Sequence, residues 1–212
     1  RLRNRELYRH HHSRTFPLKR LFDTLLSGIG LLLLAPLFLV LAVWIKLDSR
    51  GPVFYKQVRV GRGNRDFLLY KFRSMAVGAD SKGLLTVGGH DPRVTRSGHC
   101  IRKYKLDELP QLINVFKGDM SLVGPRPEVR RYVELYTPAQ MEVLSLRPGI
   151  TDPASIKYRN ENELLATAEH PEEFYTEVIM QDKLAINLQY IGSRSLLKDF
   201  KIILNTFISI LR

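Results

Sequence analysis

Cysteine and acidic residues are scarce in this sequence of 212 residues. Its only thiol, Cys100, can form neither an internal disulfide nor a multi-thiolate metal site, which is compatible with a reducing compartment. A signal peptide is also missing, because the apolar run near the start is too long and no small-residue cleavage site follows it. We therefore expect that run to persist in the mature protein.

The shortage of acid leaves 33 Lys and Arg against 21 Asp and Glu, a formal net charge of +12. Such a charge favours an anionic partner, namely nucleic acid, an anionic membrane face or a phosphorylated substrate. No helix-turn-helix or zinc signature supports the first, so we expect no nucleic-acid partner. The length suits one catalytic unit with terminal elements rather than two full domains.

The first part of the chain predicts a membrane element. Residues 1–18 form a basic segment that is typical either of contact with an anionic lipid surface or of a solvated tail. Residues 19–50 contain an uncharged run from Leu25 to Ile45, about 31 Å long as a helix. Pro36, which follows Ala35, predicts a bend there. Because basic residues flank both ends, no orientation is indicated, and we expect a re-entrant helix rather than a crossing one.

Residues 51–212 predict an α+β domain. Strand-like runs within 53–60 and 67–72, separated by a turn at 61–64, predict a β-hairpin. Residues 76–98 read as an exposed loop. An apolar stripe from Leu196 to Leu211 predicts an amphipathic helix, which either packs on the core or lies at a membrane interface.

Two adjacent acids, Asp107 and Glu108, lie within the densest cluster of charged residues. A carboxylate can attack phosphorus or bind Mg²⁺, and Arg102 and Arg126 can fork onto phosphate oxygens. Mutual repulsion can also raise one pKa of the pair and make that acid a proton carrier. The alternative is structural: Asp107 caps a helix that runs to Lys117, and Glu108 is a first-turn acid favoured by the helix dipole.

Six motifs in order resemble the bacterial sugar transferase family, the monotopic phosphoglycosyl transferases, from about Lys19 to the C-terminus. They are Tyr70-Lys71-Phe72-Arg73-Ser74-Met75, Asp91-Pro92-Arg93-Val94-Thr95, Leu106-Asp107-Glu108-Leu109-Pro110-Gln111, Gly118-Asp119-Met120-Ser121, Gly124-Pro125-Arg126-Pro127 and Arg147-Pro148-Gly149-Ile150-Thr151. The resemblance implies a re-entrant helix and interfacial helices on the cytoplasmic face of the bacterial inner membrane. It also implies transfer of a sugar 1-phosphate from a UDP-sugar to polyprenyl phosphate, with release of UMP and a phosphosugar-aspartate intermediate.

Carried onto this chain, the resemblance assigns Asp107 as nucleophile and Mg²⁺ ligand and Glu108 as its acid/base partner. The residues expected to bind substrate phosphates are Arg102, Arg126, Arg159, Lys71, Arg73 and Arg93. The chain departs from the family where Ala35-Pro36 replaces the common Ser-Pro at the bend, and where Asp152 to Ile156 replaces a stretch with Gly and Trp. If the stretch from Asp152 to Ile156 contacts the sugar, the family's sugar specificity does not transfer to this chain.

Other functions remain open from the sequence. A membrane-anchored glycosyl transferase would use the same donor but release UDP, and a non-enzymatic basic protein would bind membranes or polyanions without turnover. Membrane lipids are expected partners in each case. The oligomeric state stays open between a monomer and a homodimer.

Overall fold

The computed structural model describes residues 15–83, 85–88 and 91–211, so most of the predicted basic segment at 1–18 lies outside the described residues. The chain folds as a mixture of helices with two small sheets. The helices are α1 Thr15–Asp48, α2 Arg96–Lys103, α3 Gln111–Lys117, α4 Arg130–Val133, α5 Pro153–Lys157, α6 Glu161–Ala166, α7 Pro171–Phe174, α8 Met180–Ser193 and α9 Leu196–Leu211. The strands are β1 Phe54–Val60, β2 Asp66–Phe72, β3 Ser121–Val123 and β4 Gly149–Thr151.

The predicted β-hairpin is confirmed. Strands β1 and β2 pair antiparallel from Phe54 opposite Phe72 to Val60 opposite Asp66. Their connection is a short 3₁₀ turn in which Gly63 and Asn64 adopt positive φ angles of 68° and 62°. Glycine and asparagine are the residues that tolerate this left-handed backbone, so the turn chemistry fixes the register.

A second, parallel sheet joins β3 to β4 beside the main core. Gly124 and Gly149 let the two strands approach closely, since a Cβ on Gly149 would lie 2.2 Å from the Gly124 nitrogen. The main core packs α8 and the turn before it against β3 and the 140–146 segment, and includes Tyr175, Leu184 and Tyr190. The region after β3 and β4 is thereby held rigidly.

The long apolar helix is confirmed as α1, an unbroken α-helix of 34 residues with Pro36 inside it. By length and composition it could cross a membrane, and only 11% of its most apolar window is buried. Ala35 and Pro36 are both exposed. The re-entrant bend at these two residues stays a prediction.

Both ends of α1 contact the rest of the domain. At its start, Lys19 donates to the Asp199 carboxylate over 2.5 Å, and Arg20 donates to the Val115 carbonyl over 2.6 Å. At its end, Asp48 accepts from the Ser97 backbone N–H over 2.9 Å. Residues near both ends of the helix are therefore bonded to the same domain.

The helix predicted to start at Asp107 begins later. A 3₁₀ turn spans Leu106–Glu108, and α3 starts only at Gln111, so the prediction that Asp107 caps the helix is wrong. Lys105 has a left-handed backbone (φ 55°), and the Glu108 and Leu109 N–H groups bond to carbonyls three residues back. This tight turn gives Asp107 a helical backbone instead of the extended one that a cap needs.

The segment predicted as an exposed loop at 76–98 is partly structured. It contains a 3₁₀ turn, Ala79–Lys82, and its last residues open α2 at Arg96. Asp91 is buried because its carboxylate pairs with Arg93. This local ion pair is the physical reason why a polar, glycine-rich stretch folds back on itself here.

The predicted C-terminal helix is confirmed as α9, and its two sides differ. Ile202 and Asp199 are buried against the domain. Large apolar side chains on the other side are exposed: Leu197, Phe200, Leu204, Phe207 and Ile208. The helix thus packs on the core with one side and offers an apolar surface on the other, and its place at a membrane interface stays a prediction.

Candidate functional site

Asp107 is a buried carboxylate without a complete set of partners. Its side chain is 6% exposed, and Oδ1 has no hydrogen-bond partner among the described residues. An unsatisfied buried oxygen costs free energy, on the order of 1–3 kcal/mol and more when the group is charged. Such an atom is what a carboxylate awaiting a metal ion or a phosphorus atom would present.

Glu108, by contrast, is tied to two cations. Arg126 donates from Nη1 to Oε2 over 3.0 Å and from Nη2 to Oε1, so the guanidinium forks onto the carboxylate. The Lys71 ammonium lies 3.7 Å from Oε1. Two neighbouring acids in the sequence therefore occupy different environments, one unpaired and one clamped.

Backbone geometry after β3 positions Arg126. The Gly124 N–H bonds to the Thr151 carbonyl and the Gly149 N–H to the Pro125 carbonyl, which continues the pairing of β3 and β4. The buried Asp152 then accepts the Arg126 backbone N–H over 2.9 Å. Because prolines also restrict the backbone on either side, the direction of the guanidinium is set before any substrate arrives.

Asn114 positions Lys71 by joining α3 to β2. Its side-chain amide accepts from the Tyr70 N–H over 3.0 Å and donates to the Leu68 carbonyl over 2.7 Å. The amide thus pairs with the free edge of β2 immediately before Lys71. Strand, 3₁₀ turn and α3 are locked together, and the ammonium is held beside the acid pair.

The pKa values of the two carboxyl groups are shifted in opposite directions. Burial raises the pKa of Asp107, and the neighbouring Glu108 raises it further. Burial also acts to raise the pKa of Glu108, but Arg126 and then Lys71 outweigh it and hold that pKa well below its usual range. Burial lowers the pKa of Lys71 to about 8, against the opposing effect of Glu108. The member with the raised pKa is therefore Asp107.

The remaining predicted phosphate binders are distributed unequally. Arg102 acts electrostatically on Asp107 and donates to the Thr86 hydroxyl over 3.2 Å, so the structure brings it near the pair. Arg159 is exposed between α5 and α6, and among the described residues no hydrogen bond or ion pair joins it to the acids.

Two further candidates, Arg73 and Arg93, already bond to other parts of the protein, and their assignment as phosphate binders stays a prediction. Arg73, only 4% exposed, donates from Nε to the Pro52 carbonyl over 2.6 Å and from Nη2 to the Ser49 carbonyl over 2.8 Å, closing the C-terminus of α1. Arg93 forks onto Asp91 and donates to the Gly83 carbonyl over 2.7 Å. Their donors are occupied because helix ends and folded loops leave carbonyls that need partners.

Sequence reasoning missed three buried polar residues. Gln111, four residues after Asp107, is 1% exposed with its Nε2 unpartnered among the described residues. Asp152 and Asn187 pair over 2.9 Å beside a cavity of about 400 Å³ that Arg126 also lines. The sequence signal for Gln111 was its position at the end of the motif that begins at Leu106. Asp152 had only helix-cap spacing to mark it, and α8 brings Asn187 in from 35 residues away.

The arrangement suits a magnesium ion although it contains no cluster of metal ligands. No group of three His, Cys, Asp or Glu side chains converges among residues 15–83, 85–88 and 91–211. Mg²⁺ is commonly bound by one or two carboxylates together with waters and substrate phosphate oxygens. The unpaired Oδ1 of Asp107 fits that single-carboxylate role.

Similarity to known proteins agrees with this chemistry. Residues 14–212 match the family described as bacterial sugar transferase. A UDP-N-acetylgalactosamine-undecaprenyl-phosphate N-acetylgalactosaminephosphotransferase of Aeromonas hydrophila is 49% identical over 142 residues, which are 66% of this chain and 34% of that protein. This chain thus spans about a third of that relative's length.

Two other relatives match along most of this chain. A UDP-glucose:undecaprenyl-phosphate glucose-1-phosphate transferase of Caulobacter vibrioides is 36% identical over 197 residues, 91% of this chain and 69% of that protein. The exopolysaccharide production protein PSS of Rhizobium leguminosarum bv. phaseoli is 38% identical over 200 residues, 91% of this chain and 94% of that protein. The family match at residues 14–212 spans the segments of this chain that contain the apolar helix and the acid pair.

Proposed function

The chain belongs to the bacterial sugar transferase family, and from that membership together with its acid pair we propose that it moves a sugar 1-phosphate from a UDP-sugar to undecaprenyl (polyprenyl) phosphate. UMP is the released nucleotide. The product opens the membrane stage of polysaccharide or glycoconjugate synthesis. The names of the relatives support the general reaction, and they differ in the sugar they specify.

The observation that carries the proposal is the contrast between the two acids. A nucleophile needs a lone pair that no hydrogen bond already occupies, and the unpaired Oδ1 of Asp107 supplies one. Phosphoryl transfer also needs fixed cations around the phosphate oxygens, and Arg126 and Lys71 are held beside the pair by Glu108. Both requirements are met within one 3₁₀ turn and its neighbours.

The reaction proceeds by two displacements at one phosphorus. The Asp107 carboxylate attacks the β-phosphorus of the UDP-sugar, the bond to the bridging oxygen breaks, and UMP leaves with that oxygen. A phosphate oxygen of polyprenyl phosphate then attacks the same phosphorus, the aspartyl bond breaks, and the carboxylate is restored. The product carries the sugar through a diphosphate.

Glu108 contributes mainly by holding its two cations. Its lowered pKa keeps it ionised near neutral pH, so it is a weak base while it remains clamped. To accept a proton, as the family resemblance implies, it must first exchange a partner with the substrate phosphate. The pKa of Lys71 is about 8, so its side chain changes charge closer to neutral pH than Glu108 does.

Magnesium is the cofactor that we propose, with Asp107 as its protein ligand. When bound, Mg²⁺ would neutralise charge on the donor's diphosphate. It would also favour the ionised form of Asp107, whose pKa burial otherwise raises. Around it, Arg102 and Arg126 orient phosphate oxygens from the protein side.

Placement at the cytoplasmic face of the bacterial inner membrane is part of the proposal. The first and last turns of α1 both bond to the same domain, which supports a helix that enters and leaves by one face. The exposed apolar sides of α1 and α9 give the domain two surfaces for lipid. The acceptor lipid would then reach the acid pair without leaving the membrane.

The deciding experiment omits the acceptor. Full-length enzyme in detergent is mixed with a UDP-sugar panel and Mg²⁺, and released nucleotide and protein mass are measured. We expect a burst of UMP of about one equivalent per enzyme and a phosphosugar on Asp107. Asp107→Asn, which keeps the side-chain shape, should lose the adduct and at least about a thousandfold of turnover with acceptor while keeping its melting temperature.

Other outcomes separate the rival functions. Release of UDP would identify a direct glycosyl transferase, and absence of turnover with every donor would favour a binding protein. Substantial turnover by Asp107→Asn would place the nucleophile elsewhere. The matched control is Asp66→Asn, since Asp66 is an exposed acid at the start of β2 that pairs with Arg130.

A further inference from the structure

A second cavity, separate from the acid pair, lies under the start of α1. Its open space, including adjoining solvent, is about 610 Å³, and none of Asp107, Glu108, Arg126 or Lys71 lines it. Its walls come from the first turns of α1, the hairpin turn, β3, the segment before β4, and the end of α8 with the start of α9. Five parts of the chain thus converge on one space.

The lining of this cavity is strongly basic. Its cations are Lys19, Arg20, Arg62, Arg147 and Arg194, and its acids are Asp23 and Asp199. One acid is already paired, because Lys19 lies 2.5 Å from Asp199. The other acid accepts the Leu122 backbone N–H over 3.2 Å. The space therefore carries an excess of positive charge that its own acids do not balance.

The arginines remain close together even though their charges repel. Burial lowers the pKa of Arg147, and Arg20 and Arg62 lower it further. Backbone bonds keep them in place, since Arg20 donates to the Val115 and Phe116 carbonyls and Arg147 Nε donates to the Gly118 carbonyl over 2.8 Å. Within the described chain, the Nη1 and Nη2 atoms of Arg147 have no other hydrogen-bond partner. An anion in the cavity would relieve this repulsion.

Apolar side chains beside the cavity indicate where that anion comes from. Leu18 and Leu21 flank the cavity's α1 residues and are each 55% exposed, while Leu197 follows the lining residue Leu196 and is 81% exposed. Arginines beneath exposed leucines match a lipid, whose phosphate enters the cavity and whose acyl chains lie on the leucines. A soluble phosphate compound has no acyl chains to pack against the apolar rim.

We propose that this cavity binds the headgroup phosphate of an anionic phospholipid. The site goes beyond the transfer reaction, because it anchors the start of α1 and the start of α9 at one depth. It would fix the height of the catalytic domain above the bilayer, and with it the reach of the acid pair toward the acceptor.

The test uses full-length protein in a non-ionic detergent. Melting temperature is followed during titration with dihexanoyl phosphatidylglycerol, dihexanoyl phosphatidylcholine or inorganic phosphate at equal ionic strength. The variant Arg62→Gln/Arg194→Gln removes two lining cations. The control Arg65→Gln/Lys201→Gln removes two exposed cations outside the lining.

We expect phosphatidylglycerol to raise the melting temperature of the wild type and of the control, with half-saturation about thirtyfold higher in the lining variant. Phosphatidylcholine and inorganic phosphate should have little effect. If the lining variant does not fold, Arg194→Gln alone should raise half-saturation about fivefold. UMP release in detergent should persist in the lining variant, so failure of the lipid site and failure of the proposed transfer are distinguishable.

Three results would overturn the lipid site. An equal response to phosphatidylcholine would remove the role of charge, and an equal response to inorganic phosphate would assign the cavity to a soluble anion. Unchanged half-saturation in the lining variant would place lipid binding elsewhere. An increase confined to the KM for polyprenyl phosphate would make the cavity part of the acceptor's path instead.

Discussion

The Arg126 guanidinium and the Glu108 carboxylate form a two-pronged ion pair across 18 residues, with Nη1 to Oε2 at 3.0 Å. Lys71 approaches the same carboxylate from β2. Glu108 therefore balances two cations and fixes where they stand, and Asp107 is left without a partner for Oδ1 among the described residues. Substrate phosphate would enter a site whose cations are already oriented.

Replacement of the Arg126 guanidinium by a single ammonium should reduce catalysis without unfolding the domain. In Arg126→Lys the charge remains, but two parallel hydrogen bonds cannot form. We expect kcat/KM for the donor to fall about a hundredfold, with the melting temperature within a few degrees of the wild type. Steady-state UMP release checks this, with Arg65→Lys in the exposed hairpin turn as control. Unchanged kcat/KM would show that Arg126 only supports the structure.

The titration of Lys71 predicts a specific pH dependence. Burial lowers its pKa to about 8, so the side chain is charged below that pH and neutral above it. If the charge binds donor phosphate, kcat/KM should fall above about pH 8, by up to roughly tenfold per pH unit. Lys71→Arg keeps its charge, so this alkaline decline should move to higher pH.

The comparison requires full kcat/KM profiles between pH 6 and 10 in one detergent, with Mg²⁺ constant. Lys56→Arg, on the exposed side of β1, is the matched control and should keep the wild-type profile. The same alkaline decline in Lys71→Arg would assign the titration to another group.

Local patterns in the sequence predicted the hairpin, the apolar helix and α9, because each depends on the periodicity or turn chemistry of a short segment. The tasks of Arg73 and Arg93 depend on carbonyls that only the folded chain brings near them. Motif membership could not separate an arginine that awaits phosphate from one that closes a helix. Asn187 also escaped prediction, since α8 brings it to Asp152 from a distant part of the chain.

Arg73 provides a direct test of that distinction. Arg73→Met should lose the bonds to the Pro52 and Ser49 carbonyls and lower the melting temperature by roughly 5–10 °C. The KM for the donor should stay near the wild-type value at temperatures where the variant is folded. Arg65→Met, which removes an exposed charge, should change neither quantity. A raised KM with unchanged stability would show that Arg73 binds phosphate.

The two ends of α1 predict the topology of the membrane element. Lys19 bonds to Asp199 and Asp48 bonds to Ser97, and both partners belong to the same domain. A crossing helix would carry its first turn to the opposite side of the membrane and lose the contacts that bury Asp23 and pair Lys19. A re-entrant path, bent at Pro36, keeps both sets of contacts.

Site-directed labelling in a Cys100→Ser background checks this path. Pro17→Cys and Lys56→Cys are both exposed positions, one before and one after the apolar run. We expect a membrane-impermeant maleimide to label both in inverted inner-membrane vesicles and neither in intact spheroplasts, because each end faces the cytoplasm. Labelling of Pro17→Cys only from the outer side, with Lys56→Cys labelled only from the inner side, would establish a spanning helix. The contacts of Lys19 and Arg20 with the catalytic domain would then be lost in the membrane-bound protein.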